Sequence, residues 1–363
     1  MIGAVCDRLN ALGPRLRLPR LRGGLVVGLD RTPAAKVTLI LFSEDGTPSV
    51  IAKVARQAAA EQALLAEQAM LLDLWKSRLP TVAGELPRLL LIERIGGRAV
   101  LATTFLPGSP LTVRYYTPGH VQDPGQVAED FRLAGSWLAR FQRETQSGGV
   151  VLGAEAFDDW VRPTFARYRG TVGWSDWEQR LLDRLALVAD ELDGVSVPLV
   201  AVHGDYAIGN LLVDRGRVTG AVDWELGRQV GMPFSDLFKF AASYGSYLDR
   251  TAPPTRGTVP GHPGWAEARE RWGVFGGWTN AVGFLHAYFG RGWFPHLVRS
   301  FLLEHFRRLG VPPSAGALFL PVFVAEQAMA LDDPVYRNGY RSLLSILWQE
   351  RDARWLRQLE AAK

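Results

Sequence analysis

The segment VAVHGDYAIGNLLVDRGRVTGAVDWELG, residues 200–227, carries the polar residues from which the fold and chemistry of this chain are inferred. It holds a His-Gly-Asp triplet that ends at Asp205, then Asn210 five residues later, and then Asp223 after a β-branched apolar run. Phosphoryl transfer to an alcohol needs a carboxylate that orients the hydroxyl, and oxygen ligands that hold Mg²⁺ on the phosphates. Asp205 suits the first role, and Asn210 with Asp223 suits the second.

The spacing of these residues resembles the H-R-D-x-x-x-x-N loop of protein kinases, which is followed by an Asp-Phe-Gly segment. With glycine inside the triplet and Asp-Trp-Glu in place of Asp-Phe-Gly, the chain is more similar to the aminoglycoside phosphotransferase and choline kinase family. The resemblance implies that His203 belongs to the catalytic loop with Asp205 and that Glu225 supports the metal site. It also implies that Asp236, in the G-x-P-x-x-D-L segment at residues 231–237, braces this loop.

For the fold, the resemblance implies an α+β, two-lobed, protein-kinase-like arrangement. A smaller N-lobe, residues 1–107, is expected to contain an antiparallel sheet, one main helix and the nucleotide-binding residues. A larger and mostly helical C-lobe is expected to hold the catalytic and metal loops in residues 108–250 and the acceptor-binding helices in residues 251–363. The resemblance also implies ATP and Mg²⁺ as cofactors.

The pattern of apolar residues supports this division, because residues from about 21 to 105 show strand periodicity interrupted by one helix, and most later residues show helical periodicity. The Pro/Gly-rich segment at residues 106–110 marks the expected boundary. The predicted strands are Leu25–Gly28, Lys36–Phe42, Ser49–Ala55, Leu89–Glu93 and Ala99–Phe105, and the predicted helices are Gln57 to about Trp75 and Gln126–Gln146.

Lys53 is one of only five lysines and lies within an apolar predicted strand, where a charge is costly unless it is paired. It resembles the V-A-I-K lysine of kinases, which holds the nucleotide phosphates. Its predicted partner is Glu67 on the following helix, because Glu67 matches the E-x-x-x-L-x-x-L pattern of the family. Glu61 on the same helix remains the alternative.

The expected phosphate-covering loop is the least typical part of the sequence. Neither G-x-G-x-x-G nor G-x-x-x-x-G-K-[ST] occurs in the chain, and only Gly-Leu-Asp-Arg-Thr-Pro at residues 28–33 separates the first two strands. The resemblance implies that Thr104, Phe105 and Leu106 form the adenine hinge. Gln142 stands where the family often has histidine, and we interpret it as a structural residue.

Composition excludes several other classes of protein. With 363 residues, 47% of them hydrophobic, the chain can bury a sizeable core, and its single cysteine, Cys6, allows no internal disulfide. The start MIGAVCDRLN does not have the pattern of a secretion signal, so we expect a cytoplasmic protein. The net charge of +4 comes from scattered residues, which disfavours binding to nucleic acid. Two long uncharged stretches, residues 272–290 and 309–325, contain glycines, prolines and polar residues, which disfavour a membrane span.

The partner expected from these patterns is a small-molecule hydroxyl acceptor. Residues 251–363 contain 13 basic and 9 acidic residues, so they offer no acidic wall for a polycationic aminoglycoside. We therefore predict a neutral or weakly charged acceptor of the sugar or amino-alcohol class, with Trp272, Trp278 and Trp293 as candidates for stacking on it. An aminoglycoside-modifying kinase, a silent nucleotide-binding scaffold and a protein kinase remain as alternatives; the last lacks an A-P-E segment after Asp223.

Overall fold

The computed structural model describes residues 1–29, 35–247, 279–330 and 333–350, and it divides the chain into two compact units. The N-terminal unit comprises Met1–Leu111, His203–Asp205 and Gly209–Gln229, and the helical unit comprises Thr112–Val202, Tyr206–Ile208 and Val230–Lys363. The sequence-based boundaries grouped the catalytic and metal loops with residues 108–250. In the structure these loops pack mainly within the N-terminal unit.

The secondary structure is α+β, as expected for the fold class. The first elements are α1 (Ile2–Leu16), β1 (Leu21–Leu29), β2 (Lys36–Ser43), β3 (Pro48–Ala55), α2 (Ala58–Lys76), β4 (Leu89–Ile95), β5 (Arg98–Thr104) and β6 (Ser109–Pro110). They are followed by α3 (Leu111–Tyr115), α4 (Pro124–Glu144), β7 (Gly148–Val151), α5 (Ala154–Ala156), α6 (Arg162–Thr171), α7 (Asp176–Glu191), β8 (Ser196–Val202), β9 (Leu211–Asp214), β10 (Arg217–Ala221), β11 (Arg228–Gly231) and α8 (Ser235–Tyr247). The last described helices are α9 (Thr279–Phe289), α10 (Trp293–Leu309), α11 (Ala315–Met329) and α12 (Pro334–Gln349).

The first five strands form one antiparallel sheet in the order β1-β2-β3-β5-β4. Successive side chains of a strand point to opposite faces, so Val50, Ala52 and Val54 of β3 are all buried on one face, which α1 covers. Helix α2 packs against the other face through Leu64. Lys53 alternates with the buried residues of β3 and therefore lies on the face that α2 covers. All five predicted strands are present.

Helix α1 was not predicted from the sequence. Its apolar stripe of Val5, Cys6 and Leu9 is fully buried in the core beneath the sheet. Asn10 of α1 also binds the first residue of β1. The Asn10 side-chain Nδ2 donates to the carbonyl of Leu21 at 2.9 Å, and the Asn10 Oδ1 accepts from the N–H of Leu21 at 2.7 Å. These bonds fix the start of β1 against α1.

The helical unit is organised around α4. Asp123 caps this helix by accepting hydrogen bonds from the N–H groups of Gly125 and Gln126, and a proline occupies the first helical position. Phe131, on the buried side of α4, makes edge-to-face contacts that include the ring of Phe301 on α10, 5.2 Å away between centroids. Aromatic packing therefore holds α4 against the later helices.

Most described aromatic residues of the C-terminal region are core residues. Tyr288, Phe289 and Phe294 are buried, and of the three tryptophans proposed for stacking only Trp293 lies in the described ranges, where it is half-buried. Trp272 and Trp278 lie outside the described residues, as does the Pro/Gly/Thr-rich stretch at 251–264. In the described ranges we find no helix that combines the length and the apolar character needed to cross a membrane.

Candidate active site

The loop after β8 brings Asp205 and Asn210 into direct contact. The Asn210 Nδ2 donates hydrogen bonds to the backbone carbonyl of Asp205 at 2.8 Å and to its carboxylate Oδ2 at 2.9 Å. The backbone carbonyl of Asn210 accepts from the N–H of Val222 at 2.9 Å, which ties this loop to the residue before Asp223. With Nδ2 engaged, the Asn210 Oδ1 has no hydrogen-bond partner among the described residues and can serve as a metal ligand.

Gly204 has a physical reason to be glycine, where protein kinases have arginine. Its φ angle is 81°, in the left-handed region that L side chains rarely adopt. A Cβ atom added to it would lie 2.1 Å from the backbone carbonyl oxygen of Leu226, in the segment that follows Asp223. The close approach of these two backbone segments therefore excludes any side chain at position 204.

His203 is fully buried and is held by backbone groups on both ring nitrogens. Its Nε2 lies 3.0 Å from the carbonyl oxygen of Val222, and its Nδ1 lies 3.3 Å from the N–H of Asp205. Because a carbonyl can only accept and an N–H can only donate, these two contacts fit the tautomer that carries its proton on Nε2. Sequence reasoning grouped His203 with the catalytic residues; its two backbone contacts favour a role in positioning Asp205, and its role in the reaction stays a prediction.

Lys53, Glu67 and Asp223 form a chain of ion pairs. The Lys53 Nζ lies 2.6 Å from each carboxylate oxygen of Glu67 and 2.7 Å from the Oδ1 of Asp223. The side chain of Lys53 is 13% exposed and that of Glu67 is 2% exposed, so the pair is largely withdrawn from water. The alternative partner, Glu61, instead binds Arg94 at 2.6 Å. The structure thus brings together the lysine and the glutamate that the sequence pattern favoured.

The charged groups of these ion pairs stabilise one another. Burial acts to lower the pKa of Lys53, but the carboxylates of Glu67 and Asp223 outweigh burial and raise it above its ordinary value. Burial acts to raise the pKa of Asp223, but the ammonium groups of Lys53 and Lys36 outweigh it and lower this pKa below its ordinary value. Near neutral pH, Lys53 is therefore protonated and Asp223 is ionised.

Asp223 also has an unusual backbone conformation, with a φ angle of 71°. A non-glycine residue in this region costs on the order of 1–3 kcal/mol, and such residues persist where the surroundings fix them. Here Lys53 binds the carboxylate of Asp223, and the next residue, Trp224, is fully buried with its ring centroid 4.3 Å from that of His203. This backbone presents the Asp223 carboxylate to the lysines, and its Oδ2 has no hydrogen-bond partner in the described part of the chain.

A second lysine, which sequence reasoning missed, contacts the carboxylate of Asp223 and also that of Glu225. Lys36, the first residue of β2, places its Nζ 3.4 Å from the Asp223 Oδ1 and forms an ion pair with the Glu225 Oε2. The side chains of Lys36 and Glu225 are 12% and 23% exposed. Burial and the neighbouring Asp223 carboxylate raise the pKa of Glu225 above its ordinary value, although Lys36 acts to lower it.

The expected adenine hinge follows directly from β5. The N–H of Thr104 donates to the carbonyl of Arg88 at 2.9 Å, and the N–H of Phe105 donates to the carbonyl of Ser49 at 3.1 Å. The N–H of Leu106 has no partner of this kind among the described residues, and its side chain is buried. The hinge assignment stays a prediction, and residues 30–33 of the expected phosphate loop lie outside the described residues.

Two further predicted residues lie in the helical unit. Asp236 is in the first turn of α8 and is 2% exposed. Gln142 on α4 donates its side-chain N–H to the carbonyl of Pro233 at 2.8 Å, which anchors the segment that leads to Asp236. Gln142 therefore has the structural role expected of it, whereas the bracing contact of Asp236 with the catalytic loop stays a prediction.

The donor set fits Mg²⁺ only together with a nucleotide. Within the described residues no group of three or more His, Cys, Asp or Glu side chains is placed to hold a metal ion. The oxygens without partners at this site, Asp223 Oδ2 and Asn210 Oδ1, are hard ligands of the kind Mg²⁺ prefers. Mg²⁺ is commonly bound by one or two protein oxygens, with phosphates and water completing its shell. These two residues therefore suit a metal that arrives with phosphate.

Comparisons with known proteins identify the family to which the chain belongs. A sequence model described as the phosphotransferase enzyme family matches residues 39–271, which is more than half of the chain. A search of curated protein sequences found no match.

Similar solved structures include macrolide 2′-phosphotransferase MphH from Brachybacterium faecium, at 20% identity and a TM-score of 0.45 over 93% of this chain and 97% of that one. They also include a thermostable mutant of aminoglycoside phosphotransferase APH(4)-Ia with ADP and hygromycin B, at 12% identity and a TM-score of 0.48 over 96% and 97% of the two chains. Spectinomycin phosphotransferase APH(9)-Ia with ADP and spectinomycin is 13% identical, with a TM-score of 0.42 over 97% and 98%.

Proposed function

Because this chain belongs to the phosphotransferase enzyme family, and is thus a small-molecule phosphotransferase with a protein-kinase-like fold, we propose that it transfers the γ-phosphoryl group of Mg-ATP to a hydroxyl. The observation that carries this proposal is the ion-pair chain from Glu67 through Lys53 to Asp223, with the Asp205–Asn210 pair in the same unit. Among the described residues, the Asp223 Oδ2 and the Asn210 Oδ1 have no hydrogen-bond partner, so both oxygens are available to a metal ion.

Lys53 binds the phosphates of the nucleotide in this proposal. Its ammonium group is held by Glu67, which lies deeper in the protein, so its position does not depend on the nucleotide. Asp223 and Asn210 hold the metal ion, which when bound neutralises phosphate charge and orients the γ-phosphate. The buried Lys53–Glu67 pair is therefore preorganised, which reduces the reorganisation needed at the moment of reaction.

Asp205 acts on the acceptor. Its carboxylate accepts a hydrogen bond from the acceptor hydroxyl and takes its proton as the oxygen bonds to the γ-phosphorus and the bond to the ADP oxygen breaks. The Asn210 amide and the His203 ring fix the carboxylate and the backbone of Asp205, respectively. This arrangement supports a role in orientation and proton acceptance.

The acceptor is a neutral or weakly charged sugar or amino alcohol in this proposal. Three of the acidic residues that could hold a polycation already have partners: Asp333 caps α12 through the N–H of Val335, Asp158 pairs with Arg162 at 2.7 Å, and Glu225 pairs with Lys36. A ligand with several ammonium groups is best bound by carboxylates without such partners. These pairings favour a less charged acceptor.

The test is the release of ADP from Mg-ATP in the presence of hexoses, amino alcohols and kanamycin-type aminoglycosides, measured separately. Saturable turnover with a hexose or an amino alcohol is the expected result. Turnover of the aminoglycosides alone would overturn the acceptor assignment while leaving the phosphotransfer intact. A protein that binds Mg-ATP, as measured by a thermal shift, but turns over no hydroxyl compound and no protein substrate would be a scaffold.

A further inference from the structure

We propose that Lys36 takes the place of a second divalent cation in this site, so that the nucleotide is bound with a single metal ion. The proposal rests on the proposed ATP-dependent function and concerns how the same site balances its charge. Kinase-like sites need cations on the nucleotide phosphates, and these can be metal ions or ammonium groups. The structure supplies one more ammonium group than the sequence motifs account for.

The position of Lys36 follows from the register of the sheet. On the antiparallel strands β2 and β3, Thr38 pairs with Lys53 and Lys36 pairs with Ala55. Because side chains two residues apart share a face, Lys36 and Lys53 are diagonal neighbours on the face that α2 covers. The register therefore directs two of the five lysines of the chain to one set of carboxylates.

The contacts of Lys36 occupy the space between two carboxylates. Its Nζ contacts the Asp223 Oδ1 at 3.4 Å and the Glu225 Oε2, and the same Asp223 Oδ1 accepts from Lys53 at 2.7 Å. A divalent cation bridging Asp223 and Glu225 would have to displace this ammonium group, and like charges at such distances repel each other strongly in a partly buried site. Among the described residues, the Asp223 Oδ2 and the Asn210 Oδ1 are the oxygens of this site that remain open to a metal.

The charges of the described residues agree with this arrangement. The carboxylates of Glu67, Asp223 and Glu225 are contacted by the ammonium groups of Lys53 and Lys36. One negative charge of these five groups is left over, which favours a divalent cation at the Asp223 Oδ2. Removing Lys36 would leave Glu225 without its counter-charge beside Asp223, which favours the entry of a second metal ion.

The test counts metal ions rather than turnover. The wild-type protein is saturated with a non-hydrolysable ATP analogue and titrated with Mn²⁺, and free Mn²⁺ is followed by electron paramagnetic resonance. One bound Mn²⁺ per nucleotide is expected for the wild type and for Lys36→Arg, and two for Lys36→Met. The double variant Lys36→Met with Glu225→Gln is expected to return to one, because the second carboxylate is removed.

Two bound Mn²⁺ ions in the wild type, or one in Lys36→Met, would overturn the proposal. A matching thermal transition and one bound nucleotide per chain establish that each variant is folded, and Lys36→Gln replaces Lys36→Met if the latter fails this check. Failure of the wild type to bind the nucleotide at all would instead refute the proposed function, and the role of Lys36 with it. The variant Lys53→Met is the control for failed nucleotide binding. It is expected to lose affinity for the nucleotide and to bind no additional metal ion.

Discussion

Replacing Gly204 by alanine is expected to damage the active site far more than it destabilises the fold. The added Cβ meets the Leu226 carbonyl oxygen at 2.1 Å, whereas real Cβ atoms essentially never come closer than 3.0 Å to such an atom, so one backbone segment must move by about 1 Å. The moving segments carry Asp205 and Asp223. A misplacement of this size can cost about 10²-fold in rate.

Gly216 provides a matched control, because it has a similar φ angle of 73° but open space where a Cβ would be placed. Alanine at either position pays the left-handed backbone cost of about 1–2 kcal/mol, which urea unfolding measures. Only Gly204→Ala should also lower kcat for ADP release by about 10²-fold. Equal kcat values for the two variants would refute the reasoning, since the backbone cost would then be the whole effect.

Asp205→Ala should lower kcat by about 10² to 10⁴-fold with little change in ATP affinity, because Asp205 orients the acceptor and does not bind the nucleotide; near-normal kcat would contradict this role. Asp223→Asn should remove the strengthening of ATP binding by Mg²⁺, as measured by calorimetry with and without the metal; an unchanged effect of Mg²⁺ would place the metal elsewhere. Glu67→Gln should weaken ATP binding and turnover because Lys53 loses its buried partner, whereas Glu61→Gln, which affects only an exposed pair, should be close to wild type. The reverse order in this matched pair would mean that the nucleotide lysine is held by another residue.

The Lys53–Glu67 pair and the sheet were predictable because each left a local pattern in the sequence. Lys53 is a charge within an apolar strand, so the cost of burying it predicts an acidic partner on the next helix. The family pattern favoured Glu67 over Glu61, and the contact of Lys53 with Asp223 was not predicted. The strands follow from alternation and turn residues. Helix α1 left a weaker pattern: its apolar stripe is short, Pro14 lies in its last turn, and what stabilises it is the tertiary contact with the sheet.

Gly204 and His203 show a different limit. Their residue types were visible in the motif, but the reason for each is a backbone group 19 or more residues away, the carbonyl of Val222 for the histidine and that of Leu226 for the glycine. The sequence analysis grouped His203 with the catalytic residues because it stands beside Asp205, and it gave Gly204 no role of its own. The backbone contacts that favour a positioning role for both are visible only in the geometry, and the division of roles stays a prediction.

Lys36 could not be found from the sequence for a reason of energetics. A lysine at the start of a strand is by default solvated, and 187 residues separate it from Asp223. Its burial is tolerable only because Asp223 and Glu225 lie beside it, and their exposure to each other is tolerable only because Lys36 lies between them. Without Lys36, Glu225 would lose its counter-charge beside Asp223, and without the two carboxylates the largely buried ammonium group of Lys36 would lose both of its described partners. It follows that position 36 and position 225 should be interpreted together: a carboxylate at 225 without an ammonium group at 36 implies a site that recruits an additional metal ion.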